Sequence, residues 1–259
     1  MILLHLAPAA LYGLAAWLRT RSRQGAAGAL IALGLVVHAV ALAYSIFTPA
    51  GLDLSFSHAL SLVAWLTVLV ASGSGVLRKL PAVGNVVLPV AAVCALTPLT
   101  GGTPHRFAYS GETMAAIHIA VALLAYAFFV VAALQALLLT GLEKRLHSGL
   151  PLPGDGTAAP LLTLERFLFR MVAVGFVLLT LTLASGLVFS EQVFGRPVTF
   201  THKNVFSVAG WIAFAVLLFG RWRYGWRGRR ALYWILGGTL LLVLGYLGSK
   251  FVSQVLLGR

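Results

Sequence analysis

Eight apolar stretches, each close to the length needed to cross a membrane as a helix, occupy most of the 259 residues. Crossing the hydrocarbon core of a bilayer takes about 20 apolar residues in a helix. Such stretches fall at 2–18, 28–47, 58–77, 82–99, 112–139, 168–190, 205–220 and 231–252. The hydrocarbon core holds no water to accept free backbone N–H and C=O groups, so these runs are predicted to be helices. The alternating ten-residue segments of a membrane β-barrel are absent from the sequence. The expected fold is therefore all-α: a polytopic bundle of about eight transmembrane helices, forming a single transmembrane domain over residues 1–259. Within it we expect five helices in 2–139, a cytoplasmic linker at 141–166 that contains the Pro- and Gly-rich run GLPLPGDGTAAP, and three helices in 168–252.

Composition removes the main competitors. Hydrophobic residues make up 60% of the chain and charged residues 10%, a balance foreign to soluble domains. The net charge of +13 is scattered over short segments between apolar runs. It forms no solvated basic face, so no nucleic-acid partner is expected. The lone cysteine, Cys94, excludes a disulfide framework or a paired-cysteine metal motif within the chain. No Lys or Arg precedes the first apolar run, whereas Arg19, Arg21 and Arg23 follow it. That order is the reverse of a secretory signal, so the run is read as a retained helix.

Orientation follows from the basic residues. Fourteen of the nineteen Lys and Arg residues lie around the first, third, fifth and seventh connections. The positive-inside rule places those connections in the cytoplasm and both termini on the outer, periplasmic side of a bacterial inner membrane. Outer loops at 48–57, 98–111 and 191–204 are too short to hold a soluble catalytic domain, and no nucleophilic triad, phosphate loop or zinc motif is present. Any chemistry must come from the bundle and its outer rim.

On this topology six of the seven histidines, His5, His38, His58, His105, His118 and His202, fall in the outer half, and only His147 is cytoplasmic. Ionisable side chains inside a bilayer cost a few kcal/mol each, so they call for a function with a named partner. His118 lies about six residues into the fifth helix, roughly 9 Å below its outer start. Neutral imidazole is a common ligand of haem iron, and two imidazoles on facing helices suit a planar macrocycle. Lys203 and Arg106 are suitable partners for its propionates. Each histidine also has a plainer role as an interhelical hydrogen-bonding group, and Lys203 and Arg106 equally suit snorkelling to the interface. Glu165, at the cytoplasmic entry of the sixth helix, is expected to pair with Arg166 or Arg170. The Thr180, Thr182, Ser185 and Gly186 face is read as a helix-packing surface.

Three segments resemble the cytochrome c assembly family of CcsA, CcmC and HemX type, in particular its short YpjD-kind members. They are IHIAVALLAYAFFVVAALQALLL at 117–139, LTLERFLFRMVAVGFVLLTLTLASG at 162–186, and THKNVFSVAGWIAFAVLLFGRWRYGWRGRRA at 201–231 followed by GYLGSKFV at 245–252. The resemblance implies a non-enzymatic, haem-handling inner-membrane bundle that presents or holds haem at its outer face. Its expected partners are the lipid bilayer, haem and other cytochrome c assembly or haem-biosynthesis proteins. On the family pattern His118 corresponds to an outer-face axial histidine. The Trp-rich W-G-x-x-W-x-W-D segment of the larger members has no counterpart here, since EQVFGRPVTFTHKN at 191–204 contains no Trp. The expected haem-iron ligands are thus His118 and His202, with His38 and His58 in reserve and Lys203 and Arg106 as further cofactor-binding residues. Two alternatives stand beside this reading. One is a non-haem membrane scaffold or regulator of haem biosynthesis, and the other is a small-solute transporter.

Overall fold

The computed structural model describes residues 2–48, 51–100, 106–107, 113–148, 161–188 and 202–252. Eight helices among them are long and apolar enough to cross a membrane, in agreement with the all-α polytopic expectation. They are α1 (Ile2–Thr20), α2 (Gln24–Ile46), α3 (Phe56–Gly73), α5 (Pro81–Ala95, extended by a 3₁₀ turn Thr97–Thr100), α6 (Thr113–His147), α7 (Leu161–Val188), α8 (His202–Tyr224) and α9 (Gly228–Val243). A short helix α4 (Val76–Lys79) lies in the third connection. A π turn, Leu244–Gly248, follows α9 and leads to the short α10 (Ser249–Phe251). The linker run at 149–160 and the Trp-free segment at 191–201 lie outside the described residues.

The chain packs as two units. One comprises Met1–Ser74, Gly84–Glu112 and Leu247–Arg259, the other Gly75–Val83 and Thr113–Tyr246. In the first, α1 and α2 form an antiparallel hairpin seated on an aromatic ring against a glycine. A Cβ at Gly34 would lie 2.8 Å from the Tyr12 ring. Hydrocarbon lipid is as apolar as leucine, so helices in it are held by close packing of this kind rather than by escape from water. Helix α3 docks on α2 through polar pins, of which Trp65 Nε1–H donating to the Leu35 carbonyl at 2.8 Å is one.

At one end of this unit the segments read as loops contain a small sheet of order β1-β2-β3. Its strands are β1 (Phe47–Thr48), β2 (Gly51–Asp53) and β3 (Arg106–Phe107), paired antiparallel with Phe47 opposite Leu52 and Leu52 opposite Phe107. Two- and three-residue strands carry no readable alternation. They arise because backbone near a membrane surface must still find hydrogen-bond partners.

The second unit repeats the ring-on-glycine device. Phe129 of α6 stacks on Phe214 of α8 with centroids 3.8 Å apart and planes 12° from parallel. A Cβ at Gly175 of α7 would lie 3.0 Å from the Phe129 ring, and one at Gly238 of α9 would lie 2.9 Å from Phe214. The turn from α8 to α9 uses Gly225 (φ +65°) and Gly228 (φ +54°), left-handed conformations that glycine adopts at little cost. Between them Trp226 folds back over Gly220 and stacks on Trp234, with centroids 6.0 Å apart.

This turn also corrects the expected partner of Glu165. The buried carboxylate accepts from Arg221 Nη1 at 3.0 Å and lies 3.5 Å from Arg227 Nε, so it pairs across helices rather than with Arg166 or Arg170. Residues 166 and 170 are one and five positions away on the same helix. Glu165 instead faces inward, where the last turn of α8 supplies Arg221 and the α8–α9 turn supplies Arg227.

Glu165→Gln should keep the side-chain volume and lose the charge that holds both arginines. The pair is partly exposed on the arginine side, which screens it, so the expected cost is about 1–2 kcal/mol. Thermal unfolding in mild detergent would register this as a lower midpoint with the helical content unchanged. Gly34→Val should cost a comparable or larger amount, about 1–3 kcal/mol, because the methyl groups overlap Tyr12 in a packed hairpin. The same melt reads it.

Candidate functional site

Each histidine has to satisfy two ring nitrogens in surroundings with almost no water, and the partners it finds define its chemistry. In the first unit His38, in the middle of α2, is fully buried. Its Nε2 lies 2.9 Å from Ser61 Oγ of α3, and its ring meets the Tyr12 ring edge-on with centroids 5.7 Å apart. His5 of α1 is buried as well. The Nδ1 atoms of His5 and His38 and the Tyr12 hydroxyl have no partner among the described residues. Both imidazoles are enclosed by helices and rings, and neither opens onto a surface that a macrocycle could approach.

His58 sits in the first turn of α3. Its Nδ1 lies 2.6 Å from Ser55 Oγ and 3.7 Å from Asp53 Oδ1, while the Ser55 N–H donates to the same Asp53 oxygen at 3.0 Å. Asp53, Ser55 and His58 therefore lock the end of β2 to the start of α3. This network lies within the six residues 53–58 and explains the position of His58 without a ligand.

His118 is built differently. Helices α6 and α7 run antiparallel, so residue pairs facing each other have nearly constant index sums: Gln135 with Leu164, Phe129 with Gly175, His118 with Ser185. The pairing brings Ser185 Oγ to 2.8 Å from His118 Nδ1. Next to it, a Cβ at Gly186 would stand 3.3 Å from His118 Cε1, a tight contact that the glycine avoids where α7 passes the ring edge. The imidazole is partly exposed, and no described residue bonds its Nε2. Among the described histidines expected in the outer half, His118 combines an anchored nitrogen with an accessible one; His147, at the other end of α6, bonds the Glu143 carbonyl of its own helix.

His202 opens α8 in the same unit, followed by Lys203. The side chains of His202, Lys203 and Arg106 lie outside the described part of the structure, as does the whole of His105. Among the described residues no three His, Cys, Asp or Glu side chains gather into a set able to hold a metal ion. Haem asks less of the protein, since its porphyrin supplies four ligands and the chain only one or two. The donor set at His118, a single imidazole with one free nitrogen, fits that requirement.

Ser185 is the site residue that sequence reading assigned to mere packing. A serine beside a glycine on a helix face is the ordinary signature of a close helix crossing. Only the antiparallel register of α6 and α7, invisible in either helix alone, shows that the crossing falls on His118.

Comparison with known proteins agrees with this architecture. The family model described as cytochrome C assembly protein matches residues 27–257. The inner membrane protein YpjD of Escherichia coli strain K12 is 32% identical over 230 residues, covering 86% of this chain and 85% of the relative. An uncharacterized 28.8 kDa protein of Azospirillum brasilense is 34% identical over 142 residues, covering 55% of this chain and 52% of its own length. The cytochrome c biogenesis protein CcsA of Prochlorococcus marinus strain MIT 9312 is 33% identical over 90 residues, 35% of this chain and 29% of the relative. No solved structure matches. With eight membrane-length helices and a family match over most of its length, the chain is a multi-pass inner-membrane protein belonging to the cytochrome c assembly family.

Proposed function

We propose that the protein holds or presents haem at the outer face of its second unit, with His118 as an axial ligand of the iron and without enzymatic turnover of its own. The observation that carries this reading is the state of the His118 ring, anchored through Nδ1 and open at Nε2 on a partly exposed stretch of α6. A haem ligand needs a neutral imidazole nitrogen at an accessible position, held in a fixed plane by its other nitrogen. His118 meets these conditions, whereas His38 is enclosed and His58 is committed to a local network. Haem bound there supplies an iron centre open to ligation. The chain contributes the imidazole, the small-residue approach at Gly186, and in His202 and Lys203, at the start of α8 in the same unit, a second ligand and a cation for a propionate.

The distribution of Lys and Arg supports an outward position for this end of α6. Haem attachment to apocytochromes is a property of the cytochrome c assembly family, which supports the same placement. A second reading, a scaffold for other haem-pathway membrane proteins that binds no haem itself, draws on one observation: the segment 191–204 has no Trp to stack on a macrocycle.

Protein purified in mild detergent from haem-replete cells should show the visible bands of a histidine-ligated haem. His118→Ala should remove them or convert them to a high-spin spectrum while the melting profile stays near that of the wild type. His202→Ala should change the spin state with partial retention of haem. A folded wild-type protein with no haem under these conditions would overturn the haem reading and favour the scaffold.

A further inference from the structure

Resting on the reading of His118 as an axial ligand, we propose that Ser185 is a positioning residue: it fixes the His118 ring as the Nδ1–H tautomer and so reserves the Nε2 lone pair for a ligand. A serine hydroxyl has one hydrogen to donate and two lone pairs to accept with. Ser185 Oγ lies 3.0 Å from the Thr182 carbonyl, which can only accept, and this is where its hydrogen goes. The same oxygen lies 2.8 Å from His118 Nδ1. With its hydrogen committed, Oγ can only accept, so Nδ1 must carry the hydrogen. A neutral imidazole has one N–H, and Nε2 is left with a lone pair.

The reverse arrangement, Ser185 donating to Nδ1, moves the ring hydrogen to Nε2, where no described residue accepts it. An unmet N–H in a membrane bundle costs more than an unmet lone pair. Among the described residues, only the first arrangement gives every hydrogen of the chain Thr182–Ser185–His118 an acceptor. Gly186 completes the device. A Cβ there would stand 3.3 Å from His118 Cε1, the carbon between the two nitrogens, so the glycine leaves the ring room in the position where Nδ1 meets Ser185. Ligating histidines commonly donate their second ring N–H to a neighbouring oxygen, which sets both tautomer and ring plane. Here that oxygen belongs to Ser185, whose own orientation is set by a helix carbonyl.

The tautomer can be read without haem. In full-length protein labelled with ¹⁵N-histidine and held in detergent micelles, the His118 signals are those lost in His118→Gln. Wild type should show a protonated Nδ1 and an unprotonated Nε2. Ser185→Ala should shift His118 toward the Nε2–H form, and Ser185→Thr, which keeps the hydroxyl, should restore the wild-type pattern. In the haem-loaded protein, Ser185→Ala should weaken haem affinity about 10–100-fold, with Ser185→Thr within a few-fold of wild type and the apo-protein melting points of the variants alike. An Nε2–H form in the wild type would overturn the proposal. So would a Ser185→Ala variant with unchanged tautomer and haem affinity. A wild type with the Nδ1–H form but no haem would overturn the haem reading alone and leave the tautomer assignment standing.

Discussion

Close approach between helices is the constraint on which this structure depends. In water an amphipathic helix gains by hiding its apolar face. In lipid that gain largely disappears, and helices stay together through dispersion contacts that grow only when backbones come near. Each unit meets the demand with a ring against a glycine, Tyr12 on Gly34 in one and Phe129 on Gly175 and Phe214 on Gly238 in the other. The same closeness at Gly186 brings a backbone to the edge of His118. The candidate site is thus a local variant of the packing rule that builds the bundle, with an imidazole where the other crossings have a phenyl or phenol ring.

Polar side chains inside the bundle divide by where their hydrogen bonds go. Many hydroxyls fold back onto their own helix: Thr67 onto the Val63 carbonyl, Thr140 onto Ala136, Thr182 onto Leu178. These satisfy themselves and link nothing. A smaller set crosses between helices, including His38 to Ser61, Trp65 to Leu35, Gln135 to Leu164, Trp211 to Thr180 and His118 to Ser185. Dispersion contacts tolerate sliding by a fraction of a turn, but a hydrogen bond between fixed atoms does not. The crossing bonds therefore set the register that the apolar contacts leave free.

How much of this was legible in the sequence depends on the range of the physics involved. A membrane span is a local property, about twenty apolar residues in a row, and the eight predicted stretches recur as eight helices, although α6 runs eight residues past its expected end and α7 starts seven before its expected start, so that residues 141–147 and 161–166 of the expected linker are helical. The short strands around residues 47–53 and 106–107 were not legible, because ladders of two or three residues leave no pattern. The sequence neighbours of Glu165 are its expected partners, whereas the partners it has lie 56 and 62 positions later, at the end of α8 and in the turn after it, whose glycines give no sign of where it points. At the site, the resemblance singled out His118, whereas the role of Ser185 required knowing that two helices are antiparallel and in what register.

The bonds between α6 and α7 have a mechanical consequence. Gln135 Nε2 donates to the Leu164 carbonyl near one end of the pair, and His118 meets Ser185 near the other. Seventeen residues of α6 separate these two points, about 26 Å at the rise of an α-helix. A rod joined to its neighbour at both ends cannot slide along it or pivot about either joint alone. The two helices behave as one beam, so any movement that reaches His118 from the opposite side of the membrane arrives as displacement of the whole pair, with the geometry around the ring carried along intact.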